Sequence, residues 1–395
     1  QSDRVHRGFH KMKASNAGMD GAVMNVVFFG AMNCMGSAVV IAFNKYLLSA
    51  HRFPFVSCLV IAHCAVGWAM AAVLYLLKPS WFPSLIGEKK VNVNFELIAK
   101  GALPIAWLFA AQLVLSNMAL EFCSIAFLQM MKETSVVLVY MLSVAFSMEV
   151  YDHQKGLLII FILFATWLTI HGEIRFSLVG FLLQASCMVF QAFCVVLQGK
   201  LLASSTGQKL DPLSYVLIIM PLSGLMLIVA VGGVHYNEAA ALPSLSLLQE
   251  WLPTIFLNAT CAFAHNIVVC FFFKYSSALT VSLNAIMKDS FIVACSSVAL
   301  QEPITLLQKL GFGLQLSAVA TFSLLKLKPE EFKDGLALGL WRCLVLFIQE
   351  KWAGTMPAPV PGLTKKSLEP TSRTALAVDC AYEQAGSYHS FLPCR

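Results

Sequence analysis

The stretches FLQMMKETSVVLVYML (127–142) and LTVSLNAIMKDSFIVACSSVAL (279–300) decide the reading of this chain. Each belongs to an apolar run long enough to cross a bilayer, and each carries one lysine, Lys132 or Lys288, inside it. A lysine near the middle of a span costs roughly 2.5–3.5 kcal/mol on insertion scales, so it normally faces a polar cavity and marks the path of a substrate or ion. The local contexts match. Met131-Lys132-Glu133-Thr134 and Met287-Lys288-Asp289-Ser290 both run methionine, lysine, carboxylate, small hydroxyl. The segments read as copies of one ancestral element, and two intramembrane cations point to transport of an anion. The plainer alternative is two unrelated lysines that snorkel or pair with Glu133 and Asp289.

Composition agrees with a polytopic membrane protein. Of 395 residues, 58% are hydrophobic and 12% charged, with a mean hydropathy of +0.74, values that a soluble domain of this size does not reach. The net charge of +6 comes from lysines and arginines lying mostly between apolar runs and at the two ends, which argues against nucleic acid as a partner. The twelve cysteines are scattered singly and form no C-x-x-C pair, so they read as small buried apolar residues. His63-Cys64 and His265 lack a second cluster at ligand spacing, and neither metal nor cofactor is expected.

Working outward, apolar runs near 22–47, 55–77, 97–118, 124–148, 156–171, 177–199, 213–234, 252–273, 277–299 and 310–327 predict ten transmembrane helices and an all-α membrane protein. Basic residues flanking short loops favour the cytosolic side. Arg4, Arg7, Lys11, Lys13, Lys78, Lys89, Lys90, Lys100, Lys155, Lys200, Lys209, Lys274, Lys326, Lys328 and Lys333 fall on one side and only Lys45, Arg52, Arg175 and Lys309 on the other, so both termini are expected in the cytosol. Aligning Lys132 with Lys288 divides the chain into two inverted five-helix repeats, 22–171 and 172–328, because an odd number of spans reverses the second copy. Residues 1–21 are then a basic cytosolic N-terminus and 329–395 a cytosolic tail, largely disordered, whose short apolar run 336–348 lies along the interface or shares that disorder. In such repeats the substrate site lies near the midplane between the halves, and rocking gives alternating access. Loops are expected at 81–94, 171–176, 203–212 and 235–250, where Gly, Pro, Asn and charges break the helices.

Three stretches carry a family resemblance: SNMALEFCSIAFLQMMK (116–132), HGEIRFSLVGFLLQASCMVFQAFCVVLQGKLL (171–202) and NATCAFAHNIVVCFFFKYSSALTVSLNAIMKDSFIV (258–293). They resemble the triose-phosphate translocator and nucleotide-sugar transporter branch of the drug/metabolite transporter superfamily, over roughly residues 22–328. Lys288-Asp289 places the chain with its plant-type Lys-Asp group of sugar-phosphate/phosphate translocators. The resemblance implies antiport and makes Lys132 and Lys288 the ligands of the substrate's phosphate. It also puts Ser116 and Asn117 at a polar position on the third span, and His265 and Asn266 where plastid members carry a phosphate-contacting tyrosine and an asparagine. Gln129 and Asn284 stand three or four residues before the lysines, on the same helix faces. Asp289 is a departure, because plastid phosphate translocators have arginine there. With Glu133 it offsets the lysine charges and shifts the expectation from a compact phosphate toward a nucleotide sugar.

The expected function is a secondary antiporter exchanging a nucleotide sugar or sugar phosphate for a nucleoside monophosphate or phosphate. The alternative is transport of a neutral or cationic metabolite with Glu133 and Asp289 as the working charges. No G-x-S-x-G, H-E-x-x-H, P-loop or G-x-G-x-x-G context supports an enzyme. The partners are an organic anion and the lipid bilayer, and a homodimer is left open. No signal peptide with a compact apolar core precedes the first span, and residues 1–20 are short for a plastid transit peptide. By resemblance to the Lys-Asp group, the Golgi or endoplasmic reticulum is the expected location, with the plastid envelope the alternative should a longer leader precede Gln1.

Overall fold

A computed structural model of the chain describes residues 2–49, 51–86, 90, 95, 98–205, 211–235 and 242–353. Its helices are α1 (Ser2–Leu47), α2 (Val56–Leu77), α3 (Leu103–Phe122), α4 (Ile125–Lys132), α5 (Ser135–Ala145), α6 (His153–His171), α7 (Leu178–Ser205), α8 (Pro212–His235), α9 (Leu245–Tyr275), α10 (Ala278–Ala299), α11 (Leu306–Leu327) and α12 (Leu336–Ala353). Among the described residues there is no strand. Among the described residues, ten stretches, with α4 and α5 counted as one, are long and apolar enough to cross a membrane. Hydrocarbon offers the backbone no hydrogen-bond partner, and a helix satisfies its N–H and C=O groups internally. The chain is a multi-pass, all-α membrane protein.

Short polar side chains set where several helices begin. Ser124, Asp152, Ser244, Ser277 and Thr305 accept hydrogen bonds from the first-turn amides of α4, α6, α9, α10 and α11. Thr305 and Gln308 form a reciprocal capping box. The cap at Ser244 starts α9 earlier than its apolar run suggests, so the last residues of the loop expected over 235–250 are helical. Half of each of the expected loops over 81–94 and 203–212 lies outside the described residues, as does the tail beyond Ala353. Within the rest of that tail, a 3₁₀ turn over Pro329–Phe332 precedes α12, and the buried Phe332 ring lies where a side chain on Gly339 would be.

The fourth span is not one helix. At Glu133-Thr134 the regular ladder gives way to short-range bonds, from Thr134 N to the Met131 carbonyl and from Val137 N to the Thr134 carbonyl, both 3.0 Å. The break has a side-chain cause. The Thr134 hydroxyl is 2.8 Å from that of Thr166 on α6 and accepts from Gln315 Nε2 of α11 at 3.0 Å. It is thereby drawn sideways into the two neighbouring helices. Every residue of α4 is buried.

Helix contacts fall into matched sets. The third span packs on the sixth and the eighth on the first, while the second meets the seventh, the fourth the ninth and the fifth the tenth. Glycines set the closest approaches. A Cβ on Gly36 of α1 would run into the His265 ring of α9, and one on Gly311 of α11 would come within 2.9 Å of the Ala165 carbonyl of α6.

The two ends of the bundle differ. At one, Glu302 accepts from Lys45 Nζ at 2.6 Å and from the Ile125 and Ala126 amides at 3.1 Å each. At the other, Glu149 pairs with Lys326 at 3.0 Å and Lys155 at 3.5 Å. Burial disfavours ionisation of both carboxyls, but the facing lysines, and for Glu302 the two amides as well, outweigh it and hold each below its ordinary range.

Candidate functional site

Glu133 and Asp289 follow the two lysines directly, so the contact between the fourth and ninth spans brings two cations and two carboxyls together. Lys132 ends α4 at 8% exposure and Lys288 sits within α10 at 5%. Both line a cavity of about 80 Å³, with Gln129, Glu133, Asp289, Gln191 of α7 and Ser37 of α1. A second space shares Val136, Val139, Ser282 and Ser323 with the first and continues to Glu149 and Lys326. It leads away from the end tied by Glu302.

The charges are arranged tightly. Lys288 Nζ is 3.5 Å from Asp289 Oδ1. The Glu133 and Asp289 carboxyls line the same cavity, and Glu133 Oε1 is buried with no hydrogen-bond partner. Gln129 Nε2 and Gln191 Oε1 are likewise buried without a partner at the cavity. Buried polar atoms of this kind are costly unless something bonds to them. The cavity therefore offers cations, hydrogen-bond donors and acceptors together, a set suited to a polar anion with more than one functional group. Among the described residues no group of three or more His, Cys, Asp or Glu is placed to hold a metal.

Not every residue singled out in the sequence faces this space. Gln129, Lys132, Glu133, Lys288 and Asp289 do. Ser116 and Asn117 are buried elsewhere, and Asn117 belongs to a chain of side chains across four helices. In it Asn44 donates to Asn117 at 3.2 Å, Asn258 donates to Asn44 at 2.9 Å, and His63 bonds to Asn258. His265 stands one residue back from the cavity, its Nε2 3.2 Å from the hydroxyl of the lining Ser37, and Asn266 beside it is buried. Asn284 turns toward α1, where its Oδ1 accepts from Cys34 Sγ at 3.9 Å. Gln191, like the lining serines Ser37, Ser135, Ser282 and Ser323, was not singled out in the sequence. Its only signal was a polar residue within an apolar run, shared with Gln184 and Gln198, which do not line the cavity.

The Triose-phosphate Transporter family model matches residues 24–323. Among the relatives is a "probable sugar phosphate/phosphate translocator" of Arabidopsis thaliana, 27% identical over 300 residues that make up 75% of this chain and 82% of that one. A second protein of the same description and plant is 26% identical over 320 residues, 80% of this chain and 88% of its own. The UDP-uronic acid transporter 1 of Arabidopsis thaliana is 24% identical over 291 residues, 72% of this chain and 89% of its own. The chain belongs to the Triose-phosphate Transporter family and is a transporter, not an enzyme.

Proposed function

We propose that this family member is a secondary antiporter that exchanges a nucleotide sugar or sugar phosphate for a nucleoside monophosphate or phosphate by alternating access. The observation that carries the reading is the meeting of Lys132 and Lys288, from two different spans, in one buried cavity. Paired ammonium groups suit the phosphates of such a substrate. The unpartnered amides of Gln129 and Gln191 suit its sugar or base. Relatives named as sugar phosphate/phosphate translocators and as a UDP-uronic acid transporter support the same substrate class.

Two inverted five-helix repeats are part of the proposal. Replacing each span by the one five further along turns the observed packing partners into one another, which supports it. The bias of basic residues supports cytosolic termini. The Golgi or endoplasmic reticulum is the proposed location, with the plastid envelope as the alternative.

Counter-exchange in liposomes tests the function. Purified protein preloaded with UMP, GMP or phosphate is offered labelled nucleotide sugars and sugar phosphates, beside Lys132→Ala and Lys288→Ala. Uptake that needs both the preload and the lysines is expected. Folded protein that exchanges none of these, or exchanges them equally well without the lysines, would overturn the proposal in favour of a neutral or cationic substrate.

A further inference from the structure

Two carboxyl groups lining one small cavity inside a membrane protein need a reason. Glu133 is 7% exposed, its Oε1 has no hydrogen-bond partner, and it shares with Asp289 the lining of one cavity between two spans in contact. Two carboxylates both accept and neither donates, so crowding them into one cavity is repulsive unless one oxygen carries a proton. The cations nearby do not remove the difficulty, since an anion in the cavity needs those same cations. If Lys132 and Lys288 turn to a phosphate group, the carboxyls lose their counter-charges and three kinds of negative group share one low-dielectric space.

We propose that Glu133 and Asp289 form a proton-binding site within the substrate cavity, and that the transported anion crosses the membrane together with a proton held between these two carboxyls. The inference rests on the organic-anion transport proposed above and adds a second substrate to it. The proton comes from water on the loading side and returns to water on the other, with no covalent bond made or broken besides the O–H. With the proton in place the pair carries one negative charge instead of two, and more of the lysines' charge is left for the anion. Without it, each carboxylate falls to a lysine and the site neutralises itself, as the 3.5 Å contact of Lys288 with Asp289 already begins to do. Proton and anion therefore favour each other's binding by the same factor.

Few other groups compete for this role. From the helices around the pair, Lys132 and Lys288 line the same cavity, Cys34 of α1 bonds to Asn284, and His265 of α9 stands against the lining Ser37. The sixth span contributes Gln191, the fifth Thr166 and the tenth Gln315 and Ser323, none of which titrates. Glu149, Lys155 and Lys326 form their own cluster at the end of the adjoining space.

The experiment uses the whole protein in lipid nanodiscs and two readouts. Infrared spectra of the ligand-free protein should show the carbonyl stretch of a protonated carboxylic acid at neutral pH, and Glu133→Gln should lose it. Binding of UDP-glucose, whose diphosphate diester does not titrate between about pH 5 and 8, should weaken roughly tenfold per pH unit above the titration of the pair. In Glu133→Gln that dependence should flatten to about twofold over the same interval. Asp289→Asn supplies both readouts if the first variant fails to fold. Absence of the carbonyl band, or a pH slope that survives in the amide variants, would overturn the proposal. If UDP-glucose binds at no pH, the nucleotide-sugar reading fails and the infrared band alone still decides whether the pair holds a proton.

Discussion

Met131-Lys132-Glu133-Thr134 and Met287-Lys288-Asp289-Ser290 are nearly the same four letters in different surroundings. The first closes a short helix whose residues are all buried, and the backbone breaks where its carboxylate and threonine stand. The second lies within the unbroken α10, one of whose faces is open. Met131 is 3% exposed and Met287 65%. The Thr134 hydroxyl reaches Thr166 and Gln315 on two other helices, whereas that of Ser290 donates at 2.8 Å to the Ile286 carbonyl of its own helix. Lysine and carboxylate come to the same cavity from both. What the two copies share is the chemistry they present, and what they do not share is how each is held.

The comparison breaks first if the lysines are unequal. Lys132→Ala and Lys288→Ala should each lower exchange at least thirtyfold, because truncating one partner of a buried charge cluster costs about 2–5 kcal/mol. Initial rates in preloaded liposomes check this, and a loss confined to one lysine would assign the anion to one half alone. Next in size are the methionines. Met131→Ala should destabilise the protein by about 2 kcal/mol through the cavity it leaves, while Met287→Ala, on an open face, should stay within about 0.5 kcal/mol. Unfolding in mixed micelles measures both, and equal losses would mean that both segments are enclosed alike.

The smallest effects sharpen the contrast at the hydroxyls. Thr134→Val or Gln315→Leu should cost roughly 0.6–2 kcal/mol, the scale of a hydrogen bond between membrane helices. Ser290→Ala should fall within about 0.5 kcal/mol, since its bond is local. A double variant, Thr134→Val with Gln315→Leu, should cost less than the two single losses combined, because they remove the same contact.

Much of this was legible in the residues. Ten apolar runs, interrupted by Gly, Pro, Asn and charge, marked the ten spanning helices, since length and hydropathy alone decide whether a segment can cross hydrocarbon. Lys132, Lys288 and their carboxylates stood out because charge in such a segment is expensive, and they share one cavity. The break in the fourth span was hidden, because its cause lies in Thr166 and Gln315, 32 and 181 residues from Thr134. Asn284 was placed on the face of Lys288 by helical spacing, yet it turns to Cys34. Spacing fixes a direction around a helix axis only to within a broad arc, and the neighbour decides the rest. Ser116 and Asn117 were chosen through family resemblance, and no local pattern could show that Asn44 and Asn258 would draw Asn117 into a separate network.

Glu302 gathers three donors from two helices onto one carboxylate. Any displacement that parts α1 from the start of α4 must strip Lys45 or both amides from it, and leave a carboxylate short of partners. Bonds that share an acceptor do not stretch in turn along a seam; they let go together. That end of the molecule is therefore built to answer with a threshold and not a slope, and it is indifferent to small pushes and abrupt under a sufficient one.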